Sequence, residues 1–144
     1  MVQEQSLDKI KVKLAINKKT AFDWRHKILS STSEVDDDGF TGITESDETF
    51  FLHSSKGIKV KDRNARKRGG TSSQRGINKD HIAVIVTQDR KKHLDLTVAT
   101  KGRLKKINIE QAIGTKVTKQ TILCTDGHVS YKGFAKDNML EHHP

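Results

Sequence analysis

Two aspartates stand at positions where a strand reading expects hydrocarbon, and side by side they could hold a divalent cation. In GITESDETFF, residues 42–51, a period of two puts Ile43, Glu45, Asp47, Thr49 and Phe51 on one face, so Asp47 interrupts a row that is apolar at both ends. In TILCTDGHVSY, residues 121–131, the apolar run Ile122, Leu123, Cys124 stops at Asp126 just before Gly127, at a strand end of the kind where ligands of α/β sheets collect. Carboxylates are ionised at neutral pH, and a hard cation such as Mg²⁺ takes a few of their oxygens together with water and substrate phosphate. Two such ions about 4 Å apart can activate a water or a 3′ hydroxyl and stabilise the leaving oxygen of an in-line phosphoryl transfer. A structural reading stands beside this one: Asp47 caps a turn or pairs with a basic side chain, and Asp126 opens the TDG turn. Glu48 points to the opposite face by alternation and is assigned no catalytic role.

The charge distribution suits a polyanion. The 144 residues carry 27 Lys and Arg against 18 Asp and Glu, a formal charge of +9. Residues 56–79 hold nine basic residues and one acid, so 9 − 1 leaves +8 of the excess in one segment. Just upstream, residues 34–48 hold seven acids and no Lys or Arg. An acidic site flanked by a basic strip fits a polyanion held beside a metal, with Lys59, Lys61, Arg63, Arg66, Lys67, Arg68 and Arg75 as the phosphate-contacting candidates. A solvated loop is the plainer alternative for this strip. Cys124 is the sole cysteine, which excludes an internal disulfide and argues against a four-ligand zinc site. The longest aliphatic run, Ile82 to Val86, is far short of a membrane span, and no apolar signal region opens the chain, so a cytoplasmic protein is expected.

The elements that must position the aspartates read as a helical front end and a sheet. Leu7, Ile10 and Leu14, then Ala21, Trp24 and Ile28, recur at helical spacing on either side of INKK, which predicts a short helical hairpin with Trp24 and Phe22 in its core. DNA-reading helix pairs share this pattern with any helical hairpin. A polar linker, residues 30–39, follows. HIAVIVTQD, residues 81–89, predicts a strand buried on both faces; HLDLTVAT, residues 93–100, pairs with it through a DRKK turn, making three antiparallel strands. Asn108 and Gln111 resemble a capping box for a helix through Ile113, whose crossover returns TILCTDG parallel to an earlier strand. If that is the first strand, Asp47 and Asp126 become neighbours.

In order and spacing, ESDETFF, KRGG, the apolar hairpin and LCTDGHVSYKGF resemble the DDE-type transposases of bacterial insertion sequences, specifically the ISXO-like group. The likeness runs from about Gly39 to the end, and KTAFDWRHKIL, residues 19–29, is similar to the helical region preceding the domain in that family. The resemblance implies an α/β fold with a mixed sheet, a ribonuclease-H-like domain over residues 39–144, preceded by a partial helix-turn-helix-like region and acidic linker over residues 1–38. It implies Asp47 on a central first strand and Asp126 at the fourth, both as catalytic Mg²⁺ or Mn²⁺ ligands for cleavage and joining of double-stranded DNA, in a cytoplasmic, nucleoid-associated protein of a family that works as homo-oligomers. The family completes its site with a Glu or Asn on a later helix and carries a cysteine-rich segment upstream. Neither has a match here, so a copy truncated at both ends and inactive alone is expected, and Asp137, Asn138 and Glu141 are not expected to fill the third role. The alternative is a non-catalytic basic nucleic-acid-binding protein.

Overall fold

In the computed structural model, residues 5–31, 39–55, 61 and 69–144 are described. The chain divides into two units, Met1–Asp37 and Asp38–Pro144. The first holds helices α1 (Leu7–Leu14) and α2 (Lys18–Ser31). Ser6 caps α1 by accepting the Lys9 N–H, and Ala15, in the left-handed region at φ 53°, turns the chain out of it. Asn17 does the same for α2, its side chain accepting from the Thr20 N–H at 2.8 Å. Among the described residues of this unit only Ala21 is buried; Phe22 and Trp24 are 46% and 52% exposed, so they are not the core of the hairpin that their spacing predicts.

The described residues of the second unit form a five-stranded mixed sheet with two helices. Its strands are β1 (Phe40–Leu52), β2 (His81–Asp89), β3 (Leu94–Lys101), β4 (Val117–Cys124) and β5 (Glu141–His143), in the order β3-β2-β1-β4-β5. β2 lies antiparallel to β1 and β3, whereas β4 lies parallel to β1 and β5 parallel to β4. Helices α3 (Lys106–Ile113) and α4 (Val129–Asp137) precede and follow β4. The crossover through α3 returns β4 parallel to an earlier strand, as the sequence predicts, and that strand is β1. α3 begins before Asn108: Lys105 is the cap residue, and Asn108 in the first turn reaches back to accept the Lys105 N–H at 3.1 Å, the reverse of its expected role.

The core lies on one face of the sheet, where Ala83, Ile85 and Leu123 meet Ile109, Ile113, Tyr131 and Phe134 of the helices. β2 is accordingly buried on one face and not two: Ala83, Ile85, Thr87 and Asp89 point inward, while Ile82, Val84 and Val86 are half-buried and Gln88 is exposed. In β1 the buried row is Thr44 and Ser46, continuing to the half-buried Glu48 and Phe50. Ile43, Glu45, Asp47, Thr49 and Phe51 form the exposed row. Asp47 thus faces outward among its apolar neighbours, and the acid directed toward the core is Glu48.

Candidate active site

Register brings the two aspartates together. β1 and β4 begin with Phe40 opposite Val117, an offset of 117 − 40 = 77, and after an irregularity continue with Gly42 opposite Thr121, an offset of 121 − 42 = 79. Carried past the last pair, Glu45 and Cys124, the second offset sets Asp126 beside Asp47, since 126 − 47 = 79. The two extra residues of β4 are held by Thr121, whose buried hydroxyl accepts the Thr118 N–H at 3.0 Å and donates to the Phe40 carbonyl at 2.7 Å. Gly42 lies opposite this bulge with φ 68°, a conformation that favours glycine. Asp47 and Asp126 line one open depression of about 500 Å³, with Glu45, Val86, Cys124 and Thr125 among its other walls.

Both aspartates also make the local bonds of the structural reading. Asp47 Oδ1 accepts the Glu48 N–H at 2.8 Å, and Asp126 Oδ1 accepts the His128 N–H at 3.0 Å, stabilising the turn into α4. Each contact leaves further lone pairs on an exposed carboxylate. Glu45 is taken up by Arg90 at 2.5 Å.

Beneath the aspartates runs a buried polar network that period-two reading did not foresee. Ser46 and Thr87, on neighbouring strands, exchange a hydrogen bond at 3.0 Å, and the Ser46 hydroxyl donates to that of Tyr131 at 3.5 Å. Tyr131 is fully buried, and burial pushes its phenol up. Glu48 adjoins it. Burial and then the Asp126 carboxylate push the Glu48 carboxyl above the usual range, and Asp47 adds to this; His128 and a hydrogen bond with Tyr131 act in the opposite sense. One carboxylate oxygen, Oε2, is closed off from solvent without a hydrogen-bond partner. The sequence does hold a signal for this: adjacent acids in a strand must face opposite ways, so Asp47 followed by Glu48 directs one of them toward the core.

The remaining candidates lie elsewhere. Asp137 pairs with Lys106, the Asn138 amide donates to Glu110, and Glu141 pairs with His143. His142 bonds to Thr125. Of the basic strip, Lys61 and Arg75 are exposed, while Lys59, Arg63, Arg66, Lys67 and Arg68 lie outside the described residues. The β1–β2 connection that carries the strip leaves at the C-terminal end of β1, the end of the sheet at which Asp126 follows the parallel β4.

The donor set suits a hard divalent cation in kind, with the Asp47 and Asp126 carboxylates lining one open depression at a parallel strand end. It does not form a ready-made cage: among the described residues no three His, Cys, Asp or Glu side chains are grouped to hold a metal. Comparisons with models of known protein families, with curated proteins and with solved structures gave no match, so the chemistry of this depression is argued from its own residues.

Proposed function

We propose that the second unit is a ribonuclease-H-like domain of the kind found in ISXO-like transposases, one that carries two of the ligands for metal-dependent phosphoryl transfer on double-stranded DNA and is inactive alone. The observation that carries the reading is the placement of Asp47 on the central strand β1 and Asp126 two residues beyond the parallel β4, lining one depression. The sheet order and the resemblance of ESDETFF and LCTDGHVSYKGF support it together. Asp47 and Asp126 would hold Mg²⁺ or Mn²⁺, and such an ion supplies charge stabilisation for the transferring phosphate and a nucleophilic oxygen at neutral pH. The chain's own part is to fix the two carboxylates: the Thr121 bulge sets their register, and the His128 N–H orients Asp126. Lys61 and Arg75, with the other basic residues of 56–79, would hold the DNA backbone.

Calorimetric titration of the chain with Mn²⁺ tests the site. Saturable binding is expected, weakened about tenfold or more in Asp47→Ala and in Asp126→Ala, as loss of a ligand should produce. Equal affinity in both variants would refute the assignment. DNA binding that needs no metal and is unchanged in both variants would favour the rival reading, a non-catalytic nucleic-acid-binding protein.

A further inference from the structure

Strand β3 turns its apolar row away from the core of its own unit. Leu94, Leu96 and Val98 are 56%, 61% and 69% exposed, whereas Asp95 and Thr97, on the face that the helices cover, are half-buried. That inner polar row is engaged: Asp95 meets Lys116 at 2.6 Å and accepts the Thr97 hydroxyl at 2.8 Å. A strand with one solvated face ordinarily does the reverse, apolar inward and polar outward. A slip of one residue would exchange the two rows, but the register with β2 holds them, with Thr97 opposite the buried Ile85 and Leu96 opposite Val86. The row is part of a larger face. Val86 and Val84 of β2, opposite Leu96 and Val98, are half-buried, and the adjoining Ile82 lies opposite Phe51 of β1, itself 57% exposed. Aliphatic and aromatic side chains thus adjoin across three strands, with Asp47 and Lys101 at the margins.

We propose that this face docks a second copy of the chain, the two sheets packing outer face to outer face with Leu96 and Val98 near the centre. The area available matches that occupant. Four open side chains at roughly 100 Å² each, with the half-buried Ile82, Val84 and Val86, offer on the order of 500 Å² per copy, toward the upper end of what a monomer leaves exposed. Two such faces remove about 1,000 Å² from water, which just reaches the size of a specific interface and corresponds to a weak, reversible dimer. Sheet faces suit one another in shape, since two sheets pack with their strands within about 30° of alignment. The charge at the margins excludes a polyanion as the occupant, because Glu45 and Asp47 border the patch on β1. A two-fold axis running across the strands lays the Lys101 end of one β3 over the Leu94 end of the other, which keeps the two Lys101 side chains apart. Val86 also lines the Asp47–Asp126 depression, so the second copy borders that depression.

The test is sedimentation velocity on the full chain over a concentration series of about 5–500 µM, for wild type, Leu96→Lys, Val98→Lys and, as a control on the first unit, Val12→Lys, a position 79% exposed on α1. Wild type is expected to pass from the mass of one chain toward that of two, with a dissociation constant on the order of 10–100 µM. Leu96→Lys and Val98→Lys each set an unpaired ammonium in the centre of the interface and are expected to weaken pairing by about tenfold or more. Their circular dichroism and their melting at the lowest concentration should match wild type, which separates lost pairing from lost fold. Val12→Lys should pair as wild type does. A wild type that stays monomeric throughout overturns the proposal and leaves the face to the chain's own helix pair or to a different partner. Pairing that survives both β3 variants, or that is lost in Val12→Lys alone, places the interface elsewhere and overturns it too. Growth past two chains would show an open-ended contact and refute the closed pair.

Discussion

Asp89 shows what this fold does with an acid whose role is structural. Its side chain is buried at the end of β2, accepts the backbone N–H groups of Lys91 and His93 at 2.8 and 2.9 Å, and meets the His93 ring at 2.9 Å, closing the β2–β3 turn. Burial pushes its carboxyl up, but the His93 and Lys91 contacts outweigh that and hold it below the usual carboxylate range. A depressed folded-state pKa means that its contribution is complete above the unfolded value, about 3.9, and is lost as pH falls through the folded one. Asp89→Asn is therefore expected to lower stability at pH 7 by about 1–3 kcal/mol, with the gap to wild type closing below about pH 4. Urea melts at pH 7 and pH 3 check this; an equal gap at both would show that the charge is not what holds the turn. Asp47 and Asp126 each accept one backbone N–H and, among the described residues, meet no basic side chain, and the contrast separates a fully engaged turn staple from a candidate ligand pair.

At the scale of elements, the site depends on register more than on strand formation. An offset of 77 between β1 and β4 would set Asp47 beside Cys124; the offset of 79 beyond the bulge sets it beside Asp126. Thr121 holds that difference through two hydrogen bonds made by one buried hydroxyl. Thr121→Val keeps the shape and removes both, at about 0.5–1.5 kcal/mol each, so a loss of about 1–3 kcal/mol is expected together with weaker Mn²⁺ binding, whereas Thr121→Ser should retain most of both. Stability from urea melts and affinity from calorimetry check the pair; a valine variant with wild-type Mn²⁺ affinity would show that the register does not need the hydroxyl. Much at this scale was legible in the sequence. The alternation of Leu94, Leu96 and Val98, the apolar run of β2 and the crossover before β4 located the strands, because main-chain period and turn chemistry are local. The facing of β1 was not legible. Its outer row contains Ile43 and Phe51, while its inner row is Thr44, Ser46 and Glu48, and what admits Ser46 there is a hydrogen-bonded partner on β2, Thr87, and one on α4, Tyr131. β5 is three residues long and pairs only with β4, too short for a periodic signal.

At the scale of the whole molecule, the second unit presents one sheet face that the helices do not cover, and Asp47 stands on it beside aliphatic neighbours. Leu94, Leu96 and Val98 of β3 pair with Gln88, Val86 and Val84, and Val86 in turn pairs with Asp47. These three β3 residues are 56–69% exposed. Aliphatic surface has no attraction for phosphate, so any hold on DNA must come from charge, and +8 of the net +9 lies in residues 56–79. That segment joins β1 to β2 at the end of the sheet where Asp126 lies. Substituting Leu96→Lys should consequently leave stability within about 0.5 kcal/mol and improve solubility without restoring DNA affinity to a variant stripped of the strip. Binding of a labelled duplex, followed by fluorescence anisotropy across a salt series, should fall steeply. If all seven candidates, Lys59 to Arg75, neutralise phosphates, the slope of log affinity against log salt is about −6, and Arg75→Ala should reduce its magnitude by about 1. A flat salt dependence would place DNA recognition outside the strip. A steep one that is unchanged in Arg75→Ala would place it on the other basic residues. Because phosphate contacts position DNA without reading its sequence, the affinity should vary little with the duplex chosen, and any strong preference would have to come from side chains other than these.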